Sequence, residues 1–146
     1  MLYLKFKKLA AVLALSGVLF AGSLSPASAA GNIDDTAFEF KFSWFNTSGN
    51  TEGRAKNNNT ASYVNCTWIP GGGFRVYVDG FSSNGYVDCT VREAYIPNTG
   101  EYQVLNLVYE RGYRTARLGG TKSFANTYAS GVWSPDSVGS YTIANN

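Results

Sequence analysis

One stretch of the sequence decides the fold class: residues 37–45 read AFEFKFSWF. Aromatic side chains recur at every second position, and Glu39, Lys41 and Ser43 stand between them. Because successive side chains of a β-strand point to opposite faces, this alternation predicts a strand with one buried face. The side chains expected in the core are Phe38, Phe40, Phe42 and Trp44.

The same period of two returns along the rest of the chain, and turn residues separate the segments. The predicted strands are residues 37–45, 62–69, 74–79, 86–96, 101–109, 113–118, 131–133 and 140–143. The polar stretch 46–60 predicts a long loop. About eight short, mainly antiparallel strands predict an all-β protein built as a single β-sandwich, with a small barrel as the alternative.

The N-terminus predicts a secretory signal peptide. Three lysines, an uncharged apolar run and a small-residue cleavage site follow one another: Lys5, Lys7 and Lys8, residues 9–24, and Ala27-Ser28-Ala29. We expect residues 1–29 to be removed by cleavage after Ala29, or after Ala30 one position later. Residues 30–146 then form the β-sandwich domain, and the product is secreted. An uncleaved membrane anchor is the alternative, but glycine and serine interrupt the apolar run.

Composition narrows the range of functions. The full chain carries 12 basic and 10 acidic residues and no histidine. Loss of the three signal lysines leaves a net charge of −1, so neither nucleic acid nor an anionic membrane is an expected partner. The absence of histidine excludes Ser-His-Asp hydrolysis and histidine-ligated metals, and two cysteines cannot form a four-thiolate site. We expect no metal, no cofactor and no membrane span after signal cleavage.

Three short motifs carry a resemblance to a known group of proteins. They are Asp35-Thr36-Ala37-Phe38-Glu39-Phe40, Gly53-Arg54-Ala55-Lys56 and Ser62-Tyr63-Val64-Asn65-Cys66-Thr67. In this order, after a signal peptide, they resemble an uncharacterised family of small exported proteins of Gram-positive bacteria. The resemblance implies export and β structure, and it carries no catalytic residue to this chain.

One outward face is the best candidate for binding. Alternation on the strands predicted within residues 62–93 displays Tyr63, Arg75, Tyr77, Tyr86 and Arg92, with Asp79 and Asp88 among them. Tyrosine and arginine offer rigid contact area and directional hydrogen bonds, which suits a recognition surface. An ordinary sheet surface is the alternative, because tyrosine also favours half-buried strand positions.

Other chemistry-bearing residues favour structural roles. Asp79 and Asp88 are candidates for the pair of carboxylates that glycoside hydrolysis needs, and Glu93, Glu101 and Glu110 lie near strand ends. Exposed acidic residues are the default on any β surface, so the expected role of all five is a solvated surface charge. We therefore assign no catalytic residue. Arg111, Arg114 and Arg117 form a basic cluster that alternation divides between two faces. Trp68 and Trp133 are expected in the core, although Trp133 beside a turn is also a candidate for stacking on a sugar.

The two cysteines predict a disulfide. Cys66 and Cys89 both fall on inward faces, and an exported protein is expected to oxidise them. In a flat meander of strands 62–69, 74–79 and 86–93 the two residues lie about 10 Å apart, beyond the roughly 7 Å between Cα atoms that a disulfide spans. We therefore expect the strands carrying Cys66 and Cys89 to be neighbours or to face each other across the core.

The functional hypothesis is a secreted, non-enzymatic protein that binds a surface, a glycan or a protein partner. An antagonistic protein such as a bacteriocin or toxin is the second hypothesis, and a small glycan-active enzyme is the third. A glycine- and aromatic-rich β-protein without histidine suits the first two equally.

Overall fold

A computed structural model describes residues 31–123, 125 and 128–146, so the predicted signal peptide lies outside the described residues. This part of the chain forms strands and contains no helix. The strands are β1 Thr36–Lys41, β2 Ser48–Asn50, β3 Arg54–Ala55, β4 Ser62–Trp68, β5 Phe74–Ser82, β6 Gly85–Asp88, β7 Ala94–Ile96, β8 Gly100–Val104, β9 Thr115–Lys122, β10 Tyr128–Ser134 and β11 Thr142–Ile143.

The strands form two sheets. The first has the order β1-β10-β4-β8-β11, and the second has the order β2-β9-β5-β6, with β3 added on β9 and β7 added on β5. The pairs are antiparallel except for β11, which runs parallel to β8. The prediction of an all-β, sandwich-like fold is confirmed.

Aromatic side chains join the two sheets. Phe38 and Phe40 of β1 lie 6.5 and 6.1 Å from the ring of Phe74 on β5, measured between ring centroids. Phe42 lies 6.4 Å from the same ring. Because the inward positions of β1 and β5 alternate with exposed ones, burial of these rings fixes which face of each sheet is outward.

Several strands differ from their predicted bounds. Residues 86–96 divide into β6 and β7, and Arg92 between them has a left-handed backbone with φ 59°. The predicted strand 101–109 ends at Val104, and the predicted loop 46–60 contains the short strands β2 and β3. The apolar content of a segment does not show at which residue its hydrogen-bonded pairing with the neighbouring strand ends.

The prediction of a core role for Trp44 and Trp68 is wrong. Their exposed fractions are 86% and 59%, whereas Trp133 is fully buried, which confirms its core role. The strand ends at Lys41 because the following residues turn: the Ser43 N–H donates to the Asn46 carbonyl, and the Asn46 N–H donates to Ser43 Oγ.

The predicted Cys66–Cys89 disulfide is also wrong, because both thiols are buried and unbonded. Cys66 lies in β4 of the first sheet, and Cys89 follows β6 of the second sheet. The Cys89 carbonyl bonds the Leu107 N–H, and the neighbouring Asn106 bonds the Ser62 hydroxyl at the start of β4. The structure therefore places both cysteines in the core with neither thiol in a disulfide.

Candidate functional site

The outer face of the second sheet carries most of the predicted binding residues. On β5, Phe74, Val76 and Val78 point into the core, so Arg75 and Tyr77 point outward. Tyr86 and Asp88 lie on β6 opposite Phe81 and Asp79, and therefore share the outer face. Arg75, Tyr77 and Tyr86 therefore point to the same outer face of the second sheet.

An open groove of about 440 Å³ crosses this face. We call it the tyrosine–arginine groove, and its polar and aromatic lining consists of Arg75, Tyr77, Asp88, Thr90, Arg92, Glu93 and Thr121. Three of the five predicted binding residues therefore line one depression. The chain reaches it from β5, from the end of β6 and from the connection between β6 and β7.

Arg92 and Arg75 enter the groove in different ways. Arg75 projects from β5 and forms an ion pair with Glu93, with 2.5 Å between Nε and Oε1. Both side chains of that pair are more than half exposed, so solvent screens their attraction and a ligand can replace it. Arg92 reaches the groove from its left-handed loop position rather than from a strand.

Tyr77 forms a rigid wall of the groove. Its ring covers Gly119 on the neighbouring strand β9, where any side chain would collide with it. Burial raises the pKa of the Tyr77 hydroxyl, so the hydroxyl remains protonated and can donate a hydrogen bond. A fixed aromatic ring with a polar tip loses little conformational entropy on binding.

Tyr86 and Asp79 belong to a cluster that is not part of the groove lining. The Arg117 guanidinium lies 3.9 Å from the centroid of the Tyr86 ring, and its Nε donates to Asp79 Oδ2 at 2.9 Å. Asp79 is only 5% exposed, and burial raises the pKa of its carboxyl group although Arg117 opposes that change. Asp88 is directly opposite Asp79 and accepts bonds from the Thr90 N–H and hydroxyl. The two carboxylates are neighbours, but only Asp88 lines the groove.

Tyr63 does not share this face, so the prediction of one continuous five-residue surface is wrong. It lies on β4 of the first sheet and bonds Glu101 Oε1 at 2.6 Å, with its ring 4.8 Å from that of Tyr141. Burial and the Glu101 carboxylate both raise the pKa of its hydroxyl. The alternation in the sequence predicts that Tyr63 points outward, but it does not predict which of the two sheets contains β4.

The three arginines near residue 114 do not form one anion site. Arg111 donates to the Asp88 carbonyl, and Arg114 lies 3.9 Å from the ring centroid of Tyr109. Arg117 bonds Asp79 on the outer face of the second sheet. Each guanidinium thus contacts a different partner.

An exposed aromatic turn is a feature that the sequence argument missed. Trp44 and Phe45 are 86% and 96% exposed in the turn after β1, and the exposed Lys41 immediately precedes that turn. Trp68 lies at the same end of the sandwich, because Ser130 of β10 pairs with both Trp68 and Glu39. Ser43 and Asn46 are residues that favour turns, and they are the sequence signal that could have indicated this ending.

A second depression of about 470 Å³ lies on the first sheet side, against Thr60, Gln103 and Ser137. In the described part of the chain no charged or aromatic side chain lines it. It therefore offers fewer directional contacts than the tyrosine–arginine groove.

Among the described residues there is neither a metal-binding cluster nor a helix that could span a membrane. No group of three or more acidic or cysteine side chains among residues 31–123, 125 and 128–146 is placed to hold a metal ion. The described residues include no helix with the length and apolarity that a membrane crossing requires.

Comparison with known protein families gives a match over most of the chain. Residues 25–137 match a family model described as "Protein of unknown function (DUF2712)". Neither the curated proteins nor the solved structures include a match to the chain.

Proposed function

Because the chain belongs to DUF2712, a family of proteins of unknown function, we propose its function from its own site: it is a secreted, non-enzymatic binding protein of a Gram-positive bacterium. The observation that carries this proposal is the convergence of Arg75, Tyr77 and Arg92 in one groove. Residue types that favour recognition surfaces meet there, Arg75 and Tyr77 on strand β5 and Arg92 on the loop between β6 and β7.

The chemistry of the groove favours a glycan of the cell envelope. Two arginines and two carboxylates line it, so its ionisable side chains sum to no net charge. A strongly acidic polymer gains little attraction from such a surface. A hydroxyl-rich, neutral chain can bond both the guanidinium and carboxylate groups and can stack on the Tyr77 ring.

Retention on purified cell wall tests the groove. We expect Arg75→Ala combined with Tyr77→Ala to weaken retention at least about tenfold, because aromatic and arginine anchors dominate binding energy. Tyr63→Ala removes a tyrosine from the opposite sheet and is the matched control, so it should bind like the wild type. Equal binding by the double variant and the wild type would reject the groove as the site.

Export is tested separately. The signal-like N-terminus and the resemblance of the three motifs support it. N-terminal sequencing of protein recovered from culture medium should begin at Ala30 or Gly31. Recovery of most of the protein with Met1 intact would contradict the proposal of export. It would not affect the proposal that the tyrosine–arginine groove binds a ligand.

The exposed aromatic turn favours a second candidate function, an antagonistic protein that acts on the membranes of other cells. Tryptophan and phenylalanine partition into the membrane interface, and a nearby lysine is attracted to anionic lipid. Trp44 and Phe45 present the aromatic part of this chemistry in the turn after β1, and Lys41 before the turn forms an exposed ion pair with Glu39.

A further inference from the structure

A buried ion pair lies apart from the tyrosine–arginine groove. Lys56 follows β3 and Asp136 follows β10, and both side chains are completely shielded from solvent. Nζ of Lys56 lies 2.5 Å from Oδ1 of Asp136. Burial of two ions costs free energy that their mutual attraction often fails to recover, so this pair calls for a reason beyond stability.

Backbone groups hold the carboxyl group in one orientation. Oδ2 of Asp136 accepts hydrogen bonds from the N–H groups of Asn32 at 2.7 Å and Asn57 at 2.9 Å. Two N–H groups around one oxygen resemble an oxyanion hole, which stabilises negative charge that develops on that atom. The lysine is therefore presented to a carboxyl group whose second oxygen is already held.

The amine is positioned as firmly as the carboxyl group. Nζ of Lys56 also donates to the Thr60 carbonyl at 2.5 Å, and the Lys56 N–H donates to the Arg114 carbonyl. Burial lowers the pKa of the Lys56 ammonium, although the Asp136 carboxylate opposes that change. The neutral amine, which is the nucleophilic form, is therefore more accessible than on an exposed lysine.

We propose that Lys56 and Asp136 join in an intramolecular amide bond between Nζ and Cγ, an isopeptide cross-link. Contact between the reacting groups makes the step unimolecular, and the product replaces two buried charges with a neutral amide. The bond would tie the segment after β3 to the segment after β10, which are 80 residues apart.

The step balances without any co-reactant. The Nζ lone pair attacks Cγ, and negative charge collects on Oδ2 beside the two N–H groups. The bond from Cγ to Oδ1 then breaks, and Oδ1 leaves as water with two protons that the ammonium gave up. One ammonium and one carboxylate thus become one neutral amide and one water.

The intact mass of the full chain tests the cross-link. Once the N-terminal residue is identified, the reduced and denatured protein should be lighter than its sequence by about 18 Da, the mass of one water. Trypsin should fail to cut after Lys56 and should release one branched peptide of residues 55–75 joined to residues 123–146. A mass equal to that of the sequence would overturn the proposal. So would a loss of water confined to one linear peptide, because Asp136 loses the same mass when it cyclises onto its own backbone.

Three variants sharpen the test. Lys56→Arg keeps the positive charge but cannot form this amide, so its mass should equal its sequence, and a retained water loss would contradict the assignment. Lys41→Arg changes an exposed lysine and is the matched control that keeps the deficit. Asp136→Asn should lose ammonia, about 17 Da, and give the same cross-linked product. If Lys56→Arg does not fold, the wild-type mass and the branched peptide still decide the question.

Discussion

At the scale of single residues, both cysteines are buried and free, although an exported protein is expected to oxidise its cysteines. An oxidising compartment favours disulfides only where the chain brings the sulfur atoms within reach. Cys66 donates to the Trp68 carbonyl and Cys89 to the Val87 carbonyl, so each thiol has a local partner in its own sheet. Each cysteine thus behaves as a small apolar core residue.

We expect both cysteines to resist alkylation in the native protein. Both are at most 1% exposed, and burial raises the pKa of the Cys66 thiol to about 11, which suppresses the reactive thiolate. Denaturation without a reducing agent should then allow two labels per chain, counted by intact mass.

The Cys89→Ala variant provides the control, because it should accept one label after denaturation. A wild-type chain that accepts no label until it is reduced, and is about 2 Da lighter before reduction, would establish the disulfide instead.

At the scale of elements, the turn after β1 ends the alternation of buried and exposed side chains that the sequence pattern predicts. Phe42 is buried against Phe74, whereas Trp44, two positions later, is exposed. The hydrogen bonds between Ser43 and Asn46 turn the backbone there, so Phe42 and Trp44 no longer point to the same face. Period-two alternation predicts a shared face only while the backbone stays extended.

If the aromatic turn contacts lipid, Trp44→Ala combined with Phe45→Ala should weaken binding to phosphatidylglycerol vesicles at least about tenfold. The physical reason is that burial of one large apolar side chain is worth about 1.5–3 kcal/mol. Vesicle co-sedimentation measures the effect. The double change should alter the free energy of unfolding by no more than about 0.5 kcal/mol per exposed site.

Phe42→Ala is the matched comparison in the same segment, and it should cost about 3–5 kcal/mol of stability because it leaves a core cavity. Unchanged vesicle binding by the double variant would remove the case for a membrane-acting turn. A double variant as unstable as Phe42→Ala would show that the turn packs against the protein.

At the scale of the whole molecule, the two sheets decide which predicted residues meet. β4 lies in the first sheet and β5 in the second, although they follow each other in sequence. This crossing separates Tyr63 from Arg75 and Tyr77, and it divides the predicted binding face. Lys56, after β3 of the second sheet, likewise contacts Asp136, after β10 of the first sheet.

Local patterns determined the all-β class, the outward direction of Arg75 and Tyr77, and the burial of Phe38, Phe40 and Trp133. Those properties depend on period-two geometry and on the free energy of burying apolar surface, both of which act within a strand.

Only the tertiary structure decided strand order, the left-handed approach of Arg92 to the groove, the free state of both cysteines and the contact of Lys56 with Asp136. These depend on hydrogen-bonded pairing between segments far apart in sequence, and a side-chain period carries no information about which partner a strand chooses.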